Sequence, residues 1–591
     1  MAAIAPAVPP ATPATDSAPR PDMVKVALAF LAVLFAVFFY IFGVFPNLVE
    51  AGTQPKLPED VVGAAKGIFG GLAVLFISWE GIRKLRKKTV PRWAVRTFLV
   101  LSALVGVAGY ANFGDVGYHR IYHRWDIFHY YMGSKYHDGL GYTGIYEATA
   151  VAQAELSPAM REEVLSHSIR NMHTDTIEPA STALDRADEI KAKFTPEKWD
   201  AFKKDVEWFR STCDAKWWGD MQTDHGYNPA PLWTTVGSFF GSLGSASDTF
   251  LRFLASLDLV AFAIMFYALY WAFGQRIACL TILYWGIQWP ANYYFTWGAF
   301  LRHDWILALM LSFAFAKKRK YVAAGVALAY ASLIRVFPGF FFGGIALVIA
   351  ASLVRRVPIR RPHKLLAAGL LAGVLGFGAL SVAVAGPRSY PEFVSHVSKL
   401  QSAPVTNWMG IRSIVVFNVD RRVERTWDGK LRDPFDTWKA LRQATTKKKR
   451  FFLWAISLSS MLLYAWVVLK TRSARIPWVG MALVVPVIFS TLELMNYYFT
   501  YFLPLCFLGR FGRRFEVTAL VAASVSALLC SWQRVTSHYD VRCFAEAIVY
   551  FVFAITAFGM FAFRDEKAPR TPETSTPGGA PAEPPSTAEN A

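Results

Sequence analysis

Cysteine is scarce in this chain, with five residues in 591. Cys213, Cys279, Cys506, Cys530 and Cys543 show no paired or metal-type spacing, so neither a disulfide framework nor a cysteine-ligated zinc site organises the fold. Acidic residues are also few: 43 Asp and Glu stand against 62 Lys and Arg, a formal net charge of +19. There is no P-loop, no HExxH and no internal repeat, and the one GxGxxG spacing, Gly139–Gly144, lies in a polar, aromatic stretch with no strand signal before it. Nucleotide chemistry therefore has no support in the sequence.

What the chain has is apolar residues, 54% of the total. A soluble chain of this length would divide into several domains and would not be this apolar. Apolar runs of roughly 15 to 24 residues recur, as membrane spans do. The positive charge sits in short loops between those runs. That is the positive-inside pattern, and it points to a bilayer as partner and away from nucleic acid.

With a hydrocarbon core of roughly 30 Å as the measure, about 14 spans are expected. They cover 23–45, 61–81, 96–113, 251–273, 278–300, 305–315, 321–334, 337–354, 365–385, 451–469, 476–491, 497–508, 517–531 and 545–563. The expected fold is an all-α polytopic membrane protein with two large extracytoplasmic loops, 114–250 and 386–450. Residues 1–22 are an Ala/Pro-rich tail and 564–591 a Pro/Thr/Glu/Ala-rich tail, both expected to be disordered. The first apolar run has no small-residue cleavage site after it and reads as an uncleaved anchor.

Basic loops at 83–96, 317–320, 355–364, 470–475 and 510–514 share one side, expected to be cytoplasmic, with both termini there. The cluster Lys447–Arg450 falls on the opposite side, against the pattern. Within the first outer loop, 151–221 reads as helical with few strand signals, and 229–247 as re-entrant or interfacial.

The start of that loop carries most of the chemistry. His119, His123, Asp126 and Tyr130 fall at i, i+4, i+7 and i+11, a spacing that places them on one face of a helix. Asp126, in Arg124-Trp125-Asp126, is a candidate general base. The alternative is an acidic N-terminus on an interfacial helix with an aromatic belt. Asp115 is a second catalytic candidate, with helix capping as its competing role. His119, His123 and Asp126 have a spacing that suits a divalent metal, but hydrogen bonding to a phosphate or sugar suits them as well. No metal or other cofactor is expected.

Arg302-His303-Asp304 opens one short span and Arg335 closes another, on the same side as Asp126. Arginine there either snorkels or grips an anionic lipid headgroup with its planar fork. Glu493 lies between two apolar runs on that side.

In this order the elements resemble the GT-C superfamily of integral-membrane glycosyltransferases, closest to the polyprenyl-phosphate-mannose-dependent mannosyltransferases. Those proteins carry an Asp in the first large outer loop, then a Tyr-rich helix, a Gly and a Leu-Tyr-like pair. Here stand Asp126, FHYYMGSKYHDG and Gly144-Ile145-Tyr146. Tyr227-Asn228-Pro229-Ala230-Pro231 is similar to their Tyr-x-Pro-Pro element, and Arg302-His303-Asp304-Trp305 stands where they have Gly-Gln-Asn-Asp. Arg335-Val336-Phe337-Pro338 answers to Lys-x-x-Pro, and Asn407-Trp408-Met409-Gly410 approximates Asn-x-Ser. The likeness runs over 96–508, with 96–385 as the catalytic module, 451–563 as C-terminal spans and 23–95 as two extra N-terminal spans.

The resemblance implies a hexosyltransferase, a mannosyltransferase among the options, in a bacterial inner membrane with its site facing outward. It implies a polyprenyl-phosphate-linked sugar donor and a glycolipid or glycan acceptor. Asp126 would act as base, with inversion at the anomeric carbon. Arg335, with Arg302 and His303, would hold the donor phosphate. Asp304, His119, His123, Arg124, Tyr130, Tyr227 and Asn407 would complete the substrate site. Two other classes compete. A lipid or oligosaccharide transporter places ionisable groups near the midplane and shows inverted repeats. An acyltransferase would use His119 or His123 as base.

Overall fold

The computed structural model describes residues 57–114, 121–290, 296, 298–531 and 539–564. Asp115, His119, the first apolar run and nearly all of both tails lie outside the described residues. The chain is mostly helical, and seven described helices are long and apolar enough to cross a membrane. They are Glu59–Leu85, Arg92–Tyr110, Asp248–Phe273, Phe337–Val354, Arg361–Ala385, Arg450–Lys470 and Tyr539–Ala562.

Of the remaining expected runs, 517–531 lies in the 19-residue helix Arg513–Ser531, 23–45 is outside the described residues, and five take other forms. Gln275–Ile287 has 13 residues and Asp304–Lys317 and Tyr321–Ile334 have 14 each. At 1.5 Å per residue such helices reach only about 20 Å. Run 476–491 divides into Pro477–Ala482 and Val485–Thr491, and Asn496–Phe502 winds as a 3₁₀ helix. Most of their side chains are buried in protein, where irregular backbone is tolerated.

Small residues set the closest helix crossings. A Cβ on Gly286 would lie 1.7 Å from the carbonyl oxygen of Gly106, so the Arg92–Tyr110 and Gln275–Ile287 helices touch backbone to backbone. Gly286→Val is expected to lower stability by roughly 1–3 kcal/mol, as overpacking does. An earlier thermal midpoint in detergent would report it, and an unchanged midpoint would show that the crossing gives way. Glu59–Leu85 lays Gly67 and Gly70 against Leu528 and Ser524 of the Arg513–Ser531 helix.

The two ends of the bundle differ. At one end Glu80 bridges Arg276 and Arg513, both at 2.9 Å, and Lys317 stacks on Trp478. Basic loops from distant parts of the chain thus meet there. At the other end the two long loops, 121–250 and 386–450, form one layer. Its helices start where the sequence supplies caps: Ser157, Thr195 and Asp214 each accept a first-turn N–H, with Pro158 and Pro196 following two of them.

The layer also holds a hairpin that periodicity did not suggest, Ser168–Asn171 paired antiparallel with Thr176–Pro179. Four-residue strands leave too little alternation to read. The hairpin joins the second loop through Arg170–Asp433 (3.8 Å), Arg432 to the Ile177 carbonyl (3.2 Å) and Lys399 to the His173 carbonyl (3.1 Å).

Candidate functional site

The face expected over 119–130 is not a single helix. His123 is extended and caps a short helix, Arg124–Ile127, its Nδ1 accepting from the Asp126 N–H at 3.2 Å. Burial first of all holds the His123 imidazole below its ordinary value, so a neutral ring supplies the acceptor. With Nδ1 spent on the backbone, the metal reading of His123 with Asp126 loses one ligand atom. Arg124 lies over Trp217, 5.0 Å from the ring centroid. A π-turn, Phe128–Met132, follows; such turns recur at functional sites.

Asp205, on the Pro196–Ser211 helix, pins the next turn. Its Oδ2 accepts from Tyr131, Tyr136 and Lys135 at 2.7–2.8 Å, and its Oδ1 from the Ala246 N–H at 2.8 Å. His129 is fixed between the Trp125 carbonyl and the Tyr146 hydroxyl, each at 2.7 Å.

Asp126, Tyr130, Arg302 and Arg335 converge. Arg302 Nη1 lies 2.9 Å from Asp126 Oδ1 and donates to the Tyr130 hydroxyl at 2.8 Å. Arg335 Nη2 reaches the same hydroxyl at 3.4 Å. Both arginines are over 90% buried, and the Nε of each has no partner, as is true of Asp126 Oδ2. Arg302 also stacks on Tyr497 (4.3 Å) and Arg335 on Tyr498 (5.6 Å). Buried guanidinium N–H groups without acceptors are costly, so this cluster suits an incoming anion.

Asp258 holds the Arg302 backbone. Its carboxylate accepts the N–H groups of Arg302 and His303, both at 3.1 Å, and pairs with His303 Nδ1 at 2.8 Å. His303 is therefore turned inward, packed against Phe262 and Tyr110, and not toward a donor phosphate. Asp304, the first residue of its helix, accepts from the Trp305 N–H (2.6 Å) and from Tyr330 (3.1 Å). Sequence reasoning passed over Asp258, although a lone acid inside the apolar run 251–273 is a signal in itself. For Asp205 there was no such signal.

A cleft of about 340 Å³ opens beside the cluster, lined among others by Arg335, Asn228, Trp408, Tyr497 and Tyr498. Asp126 stands behind this lining, joined to it through Tyr130 and Arg302. Tyr227 is buried, its hydroxyl sharing a hydrogen bond with Thr234 (2.7 Å), and Asn228 is the residue of that element that faces the cleft. Asn407 lies just outside. Its side chain donates to Asn496 (3.3 Å), where Trp408–Met409 pairs with Leu494–Met495.

Two histidines couple the two long loops. His137 and His396 pack on Tyr142, with ring centroids 5.1 and 5.6 Å away. Burial pushes each from 6.5 down to about 4. Both rings are thus neutral in the folded protein but charge in the unfolded chain as pH drops below 6.5. Their contribution is complete above that value and lost as pH falls toward about 4. Hydrogen exchange in Ser389–Ser402 is expected to accelerate over that interval; protection that stays flat would contradict it.

No family model matches this chain, and neither does any curated protein or solved structure.

Proposed function

We propose that the protein is a GT-C-type membrane glycosyltransferase. It moves a hexose, mannose by resemblance, from a polyprenyl-phosphate-linked donor to a glycolipid or glycan acceptor. In this reading the shorter apolar helices complete the expected set of about 14 spans around the site. The site faces outward from a bacterial inner membrane, opposite the basic loops.

The observation that carries the proposal is the convergence of Asp126, Tyr130, Arg302 and Arg335 from three separate parts of the chain. The donor phosphate docks on Arg335 from the cleft, with Arg302 behind it. The acceptor oxygen attacks the anomeric carbon as the bond from that carbon to the phosphate oxygen breaks. The electron pair leaves with the polyprenyl phosphate, whose growing charge the two guanidiniums stabilise. The acceptor proton passes to Asp126 Oδ2, the oxygen that Arg302 does not occupy. The four groups of this cluster join the helices to the long-loop layer at one end of the bundle, which suits surface chemistry better than transport through the midplane.

The test is transfer by the purified protein from synthetic polyprenyl-phosphate hexoses to lipid extracts of its native membrane. A radiolabelled sugar recovered in one glycolipid or glycan supports the proposal. Absence of transfer, together with lipid translocation in vesicles, would replace it with the transporter reading.

A further inference from the structure

The cations at Lys447–Arg450 have no role in the site above, and they stand at the end of the bundle opposite the basic loops. Around them lies a second pocket, of about 370 Å³, lined by Arg412, Arg442, Lys447, Arg450, Trp408 and Glu493 among others. Four cations thus face one carboxylate. Glu493, 3% exposed, pairs closely with Arg442, accepts from Ser413 at 2.6 Å, and lies 3.6 Å from Arg412. Its charge is consumed inside the wall. Lys447 and Arg450 have no acidic partner among the described residues.

The pocket continues into a groove of about 1090 Å³ along the Arg450–Lys470 helix, sharing Arg412, Arg450, Leu453 and Trp454 with it. The groove lining is apolar below those arginines, with Phe451, Leu458 and Met461. This helix is one of the seven of spanning length, and it is poorly covered by protein: Phe451 is 88% and Trp454 73% exposed. An apolar trough open to the bilayer with a cationic head is complementary to an anionic lipid.

We propose that this pocket and groove form a binding site for an anionic phospholipid of the surrounding bilayer. The phosphate sits among Arg412, Lys447 and Arg450, and the acyl chains lie along the Arg450–Lys470 helix. Trp408, Arg412 and Glu493 form a wall shared with the cleft at Arg335, whereas Lys447, Arg450 and Trp454 line this pocket and not that cleft, so the phosphate lies on the side away from it. Binding here needs no transfer chemistry at Asp126. The site also explains why a basic cluster persists on the side where the charge pattern predicts none.

The full-length protein in nanodiscs, with bound lipid measured by native mass spectrometry, tests this. Phosphatidylglycerol is expected to be retained and to raise the thermal midpoint, while phosphatidylcholine is not. Removing both Arg412 and Arg450 as alanines should weaken phosphatidylglycerol binding about 30-fold, at roughly 1 kcal/mol per basic residue at a membrane surface. Glu493→Gln should strengthen it several-fold by removing the competing charge, an effect opposite in sign to misfolding. Asp126→Asn should leave it unchanged. Equal retention of the two lipids would overturn the proposal. So would displacement of phosphatidylglycerol by a polyprenyl phosphate, which would make the groove the donor's, or equal protection by inorganic phosphate, which would leave an anion site with no lipid.

Discussion

Asp126→Asn should lower turnover by roughly two to four orders of magnitude, the usual loss when a positioned general base is removed. Asparagine keeps the shape. Its amide oxygen can still face Arg302, as Asp126 Oδ1 does at 2.9 Å. What disappears is the second oxygen, buried and without a hydrogen-bond partner, that would take the acceptor proton. The variant should run as a folded species on size exclusion and keep its donor affinity. Asp115→Asn should cost far less. Were the two effects exchanged, Asp115 would be the base and Asp126 an anchor for Arg302.

The second large effect is expected at Arg335. Its contacts are weak for a buried arginine: 3.4 Å to the Tyr130 hydroxyl and 3.5 Å to the Ile334 carbonyl. A residue so loosely held, lining the cleft, is available to an anion. Arg335→Ala should remove nearly all activity and raise the donor concentration needed for half-saturation. Arg335→Lys keeps the charge and loses the fork, so partial activity at weakened donor affinity is expected. Arg302→Ala should behave differently. It breaks the ion pair with Asp126, and the loss should appear in stability as well as in turnover. Donor titration of the purified variants separates these cases. Unchanged donor affinity in Arg335→Ala would reduce Arg335 to a snorkelling anchor.

Much of this site was legible because its residues are out of place locally. Arg302 and Arg335 interrupt apolar runs, and Asp126 follows one closely among aromatic rings. Each is a charge near a membrane boundary, and that is a property of a short window of sequence. The roles that changed depend on partners far along the chain. His303 is 45 residues from the Asp258 that turns it inward, and Tyr227 packs on Gly133. His123 was misplaced for a nearer reason: helical periodicity assumes a continuous helix, whereas the backbone starts one at Arg124.

The sequence by itself determined the helical membrane class and the segregation of basic loops, and it supplies the N-caps at Ser157, Thr195 and Asp214. Hydrophobicity, charge and first-turn hydrogen bonds act over a few residues, so they can be read without a fold. Only the tertiary structure decided which ionisable groups meet. Tyr130 receives Arg302 and Arg335 from 172 and 205 residues away. Helix packing, set by close crossings such as Gly106 on Gly286, brings them together, and no local spacing encodes that distance.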